Sequence, residues 1–548
     1  MKRFCQKLSL LLVFAFVLLK ADAQKLPKVI VPKFKKDTFN IIKYGAVANG
    51  YTLNTIAITK AIVACNKNGG GVVLIPNGIW LTGPIELKSN VNLSLATNAL
   101  LQFTSDLNEY PLVLTNWEGL AAYRNQSPLS ANKATNIAVT GKGIIDGNGD
   151  AWRMVKKEKL TASQWKNKIE TGGVLSDDKK VWYPSEKSLA GSKLKNPGVV
   201  ASGATLKDVE AYKDFLRPNL LVFANCKNVL LEGATFQNSP AWNLHPLMCE
   251  DLTIRNIVVK NPWYAQNGDG LDIESCKNFI VENSLFDVGD DGICIKSGRD
   301  EEGRKRAKPT ENGIIRNCVV YHAHGGFVIG SEMSGGARNL YVENCTFIGT
   351  DIGLRFKTTR GRGGIVENIF INNIVMKDIP GEAILFDMYY AAKDPVPMAG
   401  EKREPPVVEF KAVDETTPQF KNFYVKNVVC NGAEKGIFIR GIPEMHINKI
   451  NLENIIVQAN KGIEIEEATN INLKNITILS KETNPLMYVL NSKDVVLNNI
   501  KYGASANLLL QVQGERSGKV KLIKTDTSKA QKKLEVSFGA KEDNVIVE

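Results

Sequence analysis

Three aspartates carry the clearest chemical signal in this sequence. Asn267-Gly268-Asp269-Gly270-Leu271-Asp272 is followed, 21 residues after Asp269, by Gly289-Asp290-Asp291-Gly292. An isolated Asp-Gly pair usually punctuates a turn, but two such motifs one repeat apart bring their side chains together. In a stack of coils, equivalent positions lie roughly 4.8 Å apart on one face. Adjacent strand residues point to opposite faces, so Asp290 and Asp291 share a cleft only at a bend, and Gly289 and Gly292 are read as supplying it. Three carboxylates this close cannot all ionise, so one remains an acid beside its conjugate bases. An acid to protonate a leaving oxygen and a base to activate water are what cleavage of a glycosidic bond requires. Calcium binding is the rival reading of the same cluster.

The flanking polar residues fit this chemistry. His322-Ala323-His324 holds two of the four histidines in the chain, and His324, placed over the carboxylates, is positioned to steer a proton or bond a sugar. In Arg355-Phe356-Lys357, alternation puts both cations on one face with Phe356 turned inward. Such a pair suits a carboxylate on the substrate. Trp263 and Tyr264, on an apparent turn just before Asn267, are the aromatic candidates for sugar contact, and Asn267 joins them as a candidate binding residue. Trp242, within Asn238-Ser-Pro-Ala-Trp242-Asn-Leu-His245-Pro, is read as core.

The positioning elements are repeats. A phrase of alternating apolar residues ending in asparagine recurs, as in Leu252-Thr-Ile-Arg-Asn256, Phe279-Ile-Val-Glu-Asn283 and Leu340-Tyr-Val-Glu-Asn344. Asparagines 256, 283, 317, 344, 373, 427, 454, 475 and 499 are separated by 27, 34, 27, 29, 54, 27, 21 and 24 residues, and the 54 is read as two coils of 27. Units of this length with short Val/Ile/Phe-rich strands and almost no helical period define a parallel β-helix. Thr55 to Asn66 is the helical exception and is expected to cap the open end of the solenoid. Residues 38–515 are assigned to the β-helix, with inserted loops near 151–215, 299–310 and 385–418, and 516–548 to a strand-rich end or cap.

At the N-terminus, Lys2, Arg3 and Lys7 precede an apolar run from Leu8 to Leu19, and Ala21-Asp22-Ala23 offers a cleavage site, so 1–23 is expected to be a secretory signal and 24–37 a linker. The run is about twelve residues, short of the roughly 20 a membrane span requires, so a secreted or periplasmic protein without a span is expected. Eight cysteines follow the signal; five recur near repeat positions, which favours stacked, buried thiols over bridges. The formal charge is +12, and removal of four basic and one acidic residue with the signal leaves +9. That field attracts a polyanion, yet no recognition-helix, zinc-finger or arginine-stripe pattern favours nucleic acid. No cofactor and no metal are expected, and a monomer is.

The ordered motifs resemble the polygalacturonases, glycoside hydrolase family 28, whose markers are an Asn-Thr-Asp, a Gly/Gln-Asp-Asp, a Gly-His-Gly and an Arg-Ile-Lys phrase. This chain answers with Asn267-Gly268-Asp269, Gly289-Asp290-Asp291, His324-Gly325 and Arg355-Phe356-Lys357, and the likeness runs from Tyr44-Gly-Ala to about residue 480. Gly268, Ala323 and Phe356 depart from the pattern without removing a charge. The resemblance implies a right-handed, single-stranded, pectin lyase-like β-helix and hydrolysis of pectic α-1,4-galacturonosidic bonds with inversion. Asp290 is then the general acid, Asp269 and Asp291 activate water, His324 supports, and Arg355 and Lys357 hold a galacturonate carboxylate. The insertions, with Arg299, Arg304, Lys305 and Arg306 in one of them, point to a closed cleft and exo cleavage. A calcium-dependent pectate lyase and a non-catalytic polysaccharide-binding β-helix are the alternatives.

Overall fold

The computed structural model describes residues 27–390, 409–503 and 505–548; the expected signal segment lies outside them. The alternating phrases form a right-handed parallel β-helix. Leu129, Leu221, Leu244, Leu271, Ile293, Phe327, Leu354 and Ile384 stand in register on successive coils of one sheet. All eight are 0% exposed, and each inward side chain contributes about 1.5–3 kcal/mol by leaving water. One residue further along each strand the side chains point outward, giving the ladder Val222, His245, Asp272, Cys294, Val328 and Arg355. Period-2 alternation thus places the candidate chemistry on one outer face.

The recurring asparagines hold the corners. Asn278, Asn312, Asn339, Asn368 and Asn422 all have φ between 56° and 59°, a left-handed corner that asparagine tolerates. The side-chain amides of Asn312, Asn339, Asn368 and Asn422 each donate to the oxygen of the asparagine one coil before, at 3.1–3.4 Å. The 54-residue interval is a correction to the repeat count. Ile365–Asp387 pairs directly with Gln419–Arg440, so 373 to 427 is one coil lengthened by an insertion, and residues 391–408 of that insertion lie outside the described ones.

The helix Thr55–Lys67 buries Ala57, Ile58, Ala61, Ile62 and Cys65 against the first coil. Residues 151–215 carry the helix Ala162–Glu170 and a three-stranded sheet around a small core of Val155, Trp165 and Trp182. The loop at 299–310 contains the helix Asp300–Arg306. A hairpin of Leu112–Trp117 and Leu120–Asn125, which alternation alone does not distinguish from ordinary coil strands, rises beside the same face. At the C-terminal end, Gly518–Ile523, Ala530–Ser537 and Val545–Val547 add further parallel rungs. The eight described cysteines are free and buried, and among the described residues no helix is long and apolar enough to cross a membrane.

Candidate active site

Asp269 ends a turn that is pinned from several sides. Asn261 Nδ2 donates to the Gly268 carbonyl at 3.2 Å, Arg217 Nη1 to the Gln266 carbonyl at 2.9 Å, and Arg217 Nη2 to Asn267 Oδ1 at 2.9 Å. One coil on, Asp290 lies in the bend before the strand Asp291–Lys296. The bend expected between the flanking glycines is present, and what the glycines supply there is space. A Cβ on Gly289 would stand 2.5 Å from the Pro262 carbonyl oxygen, and one on Gly292 2.4 Å from Val320 Cγ1. The close coil-to-coil contact that these glycines permit brings oxygens of Asp269, Asp290 and Asp291 within 4.8 Å of one another.

The three carboxylates have different surroundings. Asp291, 1% exposed, meets Lys357 Nζ at 2.8 Å and Arg355 Nη1 at 3.3 Å. Burial alone would raise its pKa, but Lys357 and Arg355 overrule that and hold it below the ordinary carboxylate range. Asp269 has no such partner; burial, then the charges of Asp272 and Asp290, push its carboxyl well above that range. Asp290 is the most open, with 23% of its side chain exposed, and His324 Nδ1 lies 3.3 Å from it. That contact raises the His324 pKa.

The structure brings together Asp269, Asp290, Asp291, His324, Arg355 and Lys357. Arg355 and Lys357 share an outer face over the buried Phe356, as alternation predicts, and their charge is directed first at Asp291, with Tyr390 beside both. Asn267 points at Arg217. Trp263 is 54% exposed, perpendicular to Tyr264 and under Lys159 Nζ, while Tyr264 leans on the small core of the 151–215 insertion. Trp242 is buried.

Several residues of this site escaped sequence reasoning. Asp272 is fully buried behind the trio, 3.5 Å from Lys296 Nζ, which reaches Glu332 at 3.0 Å. Lys296 occupies an outward position in Asp291-Gly-Ile-Cys-Ile-Lys296, which was a readable signal. On the opposite flank, Trp117 of the hairpin stacks on Trp242 at 5.7 Å, with Arg124 and Lys296 on the outer faces of the pair. The hairpin is held down by Glu302, which accepts from the Ala121 amide at 2.9 Å, and by an ion pair of Glu118 with Arg299 at 3.2 Å. The cations of the 299–310 loop are therefore engaged in latching rather than in gripping a chain end. Arg304 donates to the Gly361 carbonyl, Lys305 pairs with Glu301, and Arg306 pairs with Glu274.

As a metal site the trio supplies three side chains, and Asp291 already faces an ammonium and a guanidinium; a calcium ion takes about six to eight oxygens. The arrangement fits proton transfer better: one side chain open to the cleft, one carboxylate with its pKa held down by two cations, and one with its pKa pushed up by burial.

A family model described as Glycosyl hydrolases family 28 matches residues 168–434. An exo-poly-alpha-D-galacturonosidase of Dickeya chrysanthemi is 32% identical over 371 residues, 66% of this chain and 58% of that protein. A probable polygalacturonase of Vitis vinifera is 29% identical over 348 residues, 62% and 60% of the two chains. This chain thus spans less than two thirds of the length of either curated relative. The crystal structure of a hyperthermoactive exopolygalacturonase from Thermotoga maritima aligns with a TM-score of 0.65 at 32% identity, over 79% of this chain and 89% of that one.

Proposed function

The chain belongs to the glycosyl hydrolases of family 28, and on that premise we propose that it hydrolyses α-1,4-galacturonosidic bonds of pectic polymers, releasing short products from a chain end. The observation that carries this reading is the carboxylate trio, with oxygens within 4.8 Å of one another and Asp291 clamped by Lys357 and Arg355. Asp290, the most exposed member, protonates the leaving oxygen. Water between Asp269 and Asp291 attacks the anomeric carbon and passes its proton to Asp291, which its cations keep ionised. Asp269 orients that water.

A retaining route would need a carboxylate oxygen to bond the sugar directly. Asp269 and Asp291 are 3% and 1% exposed, so their recess favours water as the nucleophile and inversion as the outcome. Arg355 and Lys357, with Tyr390, form the side of the cleft that receives a substrate carboxylate. Trp263 and Tyr264 contact sugar on the rim. The N-terminal apolar run supports export, which sequencing the N-terminus of the recovered protein tests.

The experiment for the activity is incubation with polygalacturonate, sizing the products over time and reading the first-formed anomer by NMR. Absence of cleavage, or products bearing a new double bond, would reject hydrolysis.

A further inference from the structure

Arg124 and Arg217 are 3% and 5% exposed, and neither makes an ion pair among the described residues. Arg124 gives Nε and Nη2 to the Arg217 carbonyl at 3.2 and 2.7 Å. Arg217 gives Nη1 to the Pro240 and Gln266 carbonyls and Nη2 to Asn267 Oδ1, all at 2.9 Å. Arg124 Nη1 and Arg217 Nε are left without an acceptor among the described residues. Both guanidiniums line a cavity of about 200 Å³, walled by Phe215, Met154, Asn196 and Trp117 and reaching Asn267, two residues before Asp269. Glu118 and Arg299 at its rim offset each other at 3.2 Å. Burial, then the charge of Arg217 on Arg124 and of Arg153 on Arg217, depresses both guanidiniums, Arg217 to about 10, against the opposing pull of Glu118 on both, the direction expected of buried cations with no carboxylate in contact.

Arg124 lies over the Trp117 ring at 3.6 Å, and both arginines hydrogen-bond only to neutral oxygens, with no carboxylate in direct contact. A buried cation held this way is expensive, and an entering carboxylate lowers that cost. The cavity holds about seven waters at roughly 30 Å³ each, which is room for one sugar ring. It lies on the side of the aspartates opposite Arg355 and Lys357. We propose that Arg124 and Arg217 bind the carboxylate of the terminal uronic acid residue, so that the chain end is read as an anion at a point separate from Arg355 and Lys357. This rests on the galacturonan-hydrolase reading and adds a residue-level specificity to it.

The test compares oligogalacturonides whose terminal residue, at one end or the other, is replaced by neutral galactose. The wild-type protein should lose about 10- to 100-fold in kcat/KM when the pocket-side terminus is neutral. Arg124→Gln should erase that preference while changing the rate on the neutral-ended substrate by less than about threefold, and Arg124→Lys should keep part of it. A wild-type protein indifferent to both replacements overturns the proposal, as does an Arg124→Gln protein equally impaired on all substrates, which would make Arg124 a structural prop. Should no galacturonan be cut, the parent reading has failed. Calorimetry of galacturonate against galactose on Asp290→Asn/Arg355→Ala protein, in which the other carboxylate site is weakened, with and without Arg124→Gln, still decides the pocket: selective galacturonate binding lost with Arg124 supports it, and its persistence, or its absence from the start, overturns it.

Discussion

Lys357 Nζ lies 2.8 Å from Asp291 Oδ2, and both side chains are nearly buried: the lysine side chain is 7% and the aspartate 2% exposed. The pair therefore maintains a charged carboxylate in a place where burial alone would neutralise it. Every role given to Asp291 depends on that lysine.

Lys357→Met should destabilise the fold by about 3–5 kcal/mol at neutral pH, because it leaves Asp291 buried and less compensated. Asp291 is a group with a depressed folded pKa. Its contribution is present above the unfolded value of about 3.9 and is lost as pH falls through the folded one. The difference between wild type and variant should accordingly be largest near pH 7 and shrink as pH falls below about 4. Denaturant melts at several pH values check this, and a difference independent of pH would mean the pair holds no charge.

Asp290→Asn should fold normally and lose about 10² to 10⁴ in kcat. The residue sits in the bend outside the apolar core, so circular dichroism should not change. Full activity in a correctly folded variant would remove Asp290 as the acid.

The repeat was legible because each coil writes the same alternation and the same corner asparagine, so Asn283 predicts Asn317. The aspartates were legible because their motifs recur one coil apart. What lay hidden was contact without a local signature. Arg217 precedes Asn267 by 50 residues, and only the stacking of coils brings them together. The hairpin at 112–125 alternates like any coil strand, and nothing in that alternation states whether its partner runs parallel or antiparallel. Gly289 was correctly suspected of being special, but its reason, the Pro262 carbonyl 2.5 Å from where a Cβ would stand, belongs to the neighbouring coil.

His324 should set an alkaline limit. Its hydrogen bond to Asp290 raises its pKa above the usual 6.5 or so, so the cation persists to higher pH and is lost as pH rises through that raised value. If the cation supports binding of an anionic chain, wild-type kcat/KM should fall along that limb. His324→Gln should be slower at acid pH and lack the limb. An unchanged profile in the variant would show that His324 does not titrate in the reaction.

Arg355→Ala should weaken hydrolysis of galacturonan more than of its methyl ester. Arg355 Nη1 also sits 3.3 Å from Asp291, so part of the loss will be common to both substrates. The part specific to the free acid should be about tenfold, the worth of one charge-assisted hydrogen bond. Parallel kcat/KM measurements on the two polymers separate the shares, and equal losses would mean that Arg355 serves Asp291 alone.

Cleavage from the chain end should depend on the hairpin. An enzyme that cuts internally needs a groove open at both ends, whereas here Trp117 stacks on Trp242 and lines the cavity beside Asn267. The hairpin is tied to the helix Asp300–Arg306 through Glu302, Arg299 and Arg306, which donates to the Gly119 carbonyl at 3.3 Å. Such anchoring makes it a wall rather than a swinging lid, since three separate contacts must break together for it to move. With the wall in place, viscosity of polygalacturonate should fall slowly relative to the release of reducing ends. Replacing residues 112–125 by a short turn, or combining Trp117→Ala with Glu302→Ala, should open the groove and steepen the viscosity drop at equal bond cleavage. A rapid initial viscosity drop with the wild-type protein would refute end-wise cutting. A slow drop unaltered in both variants would retain end-wise cutting but assign it to a different wall, such as the 151–215 insertion.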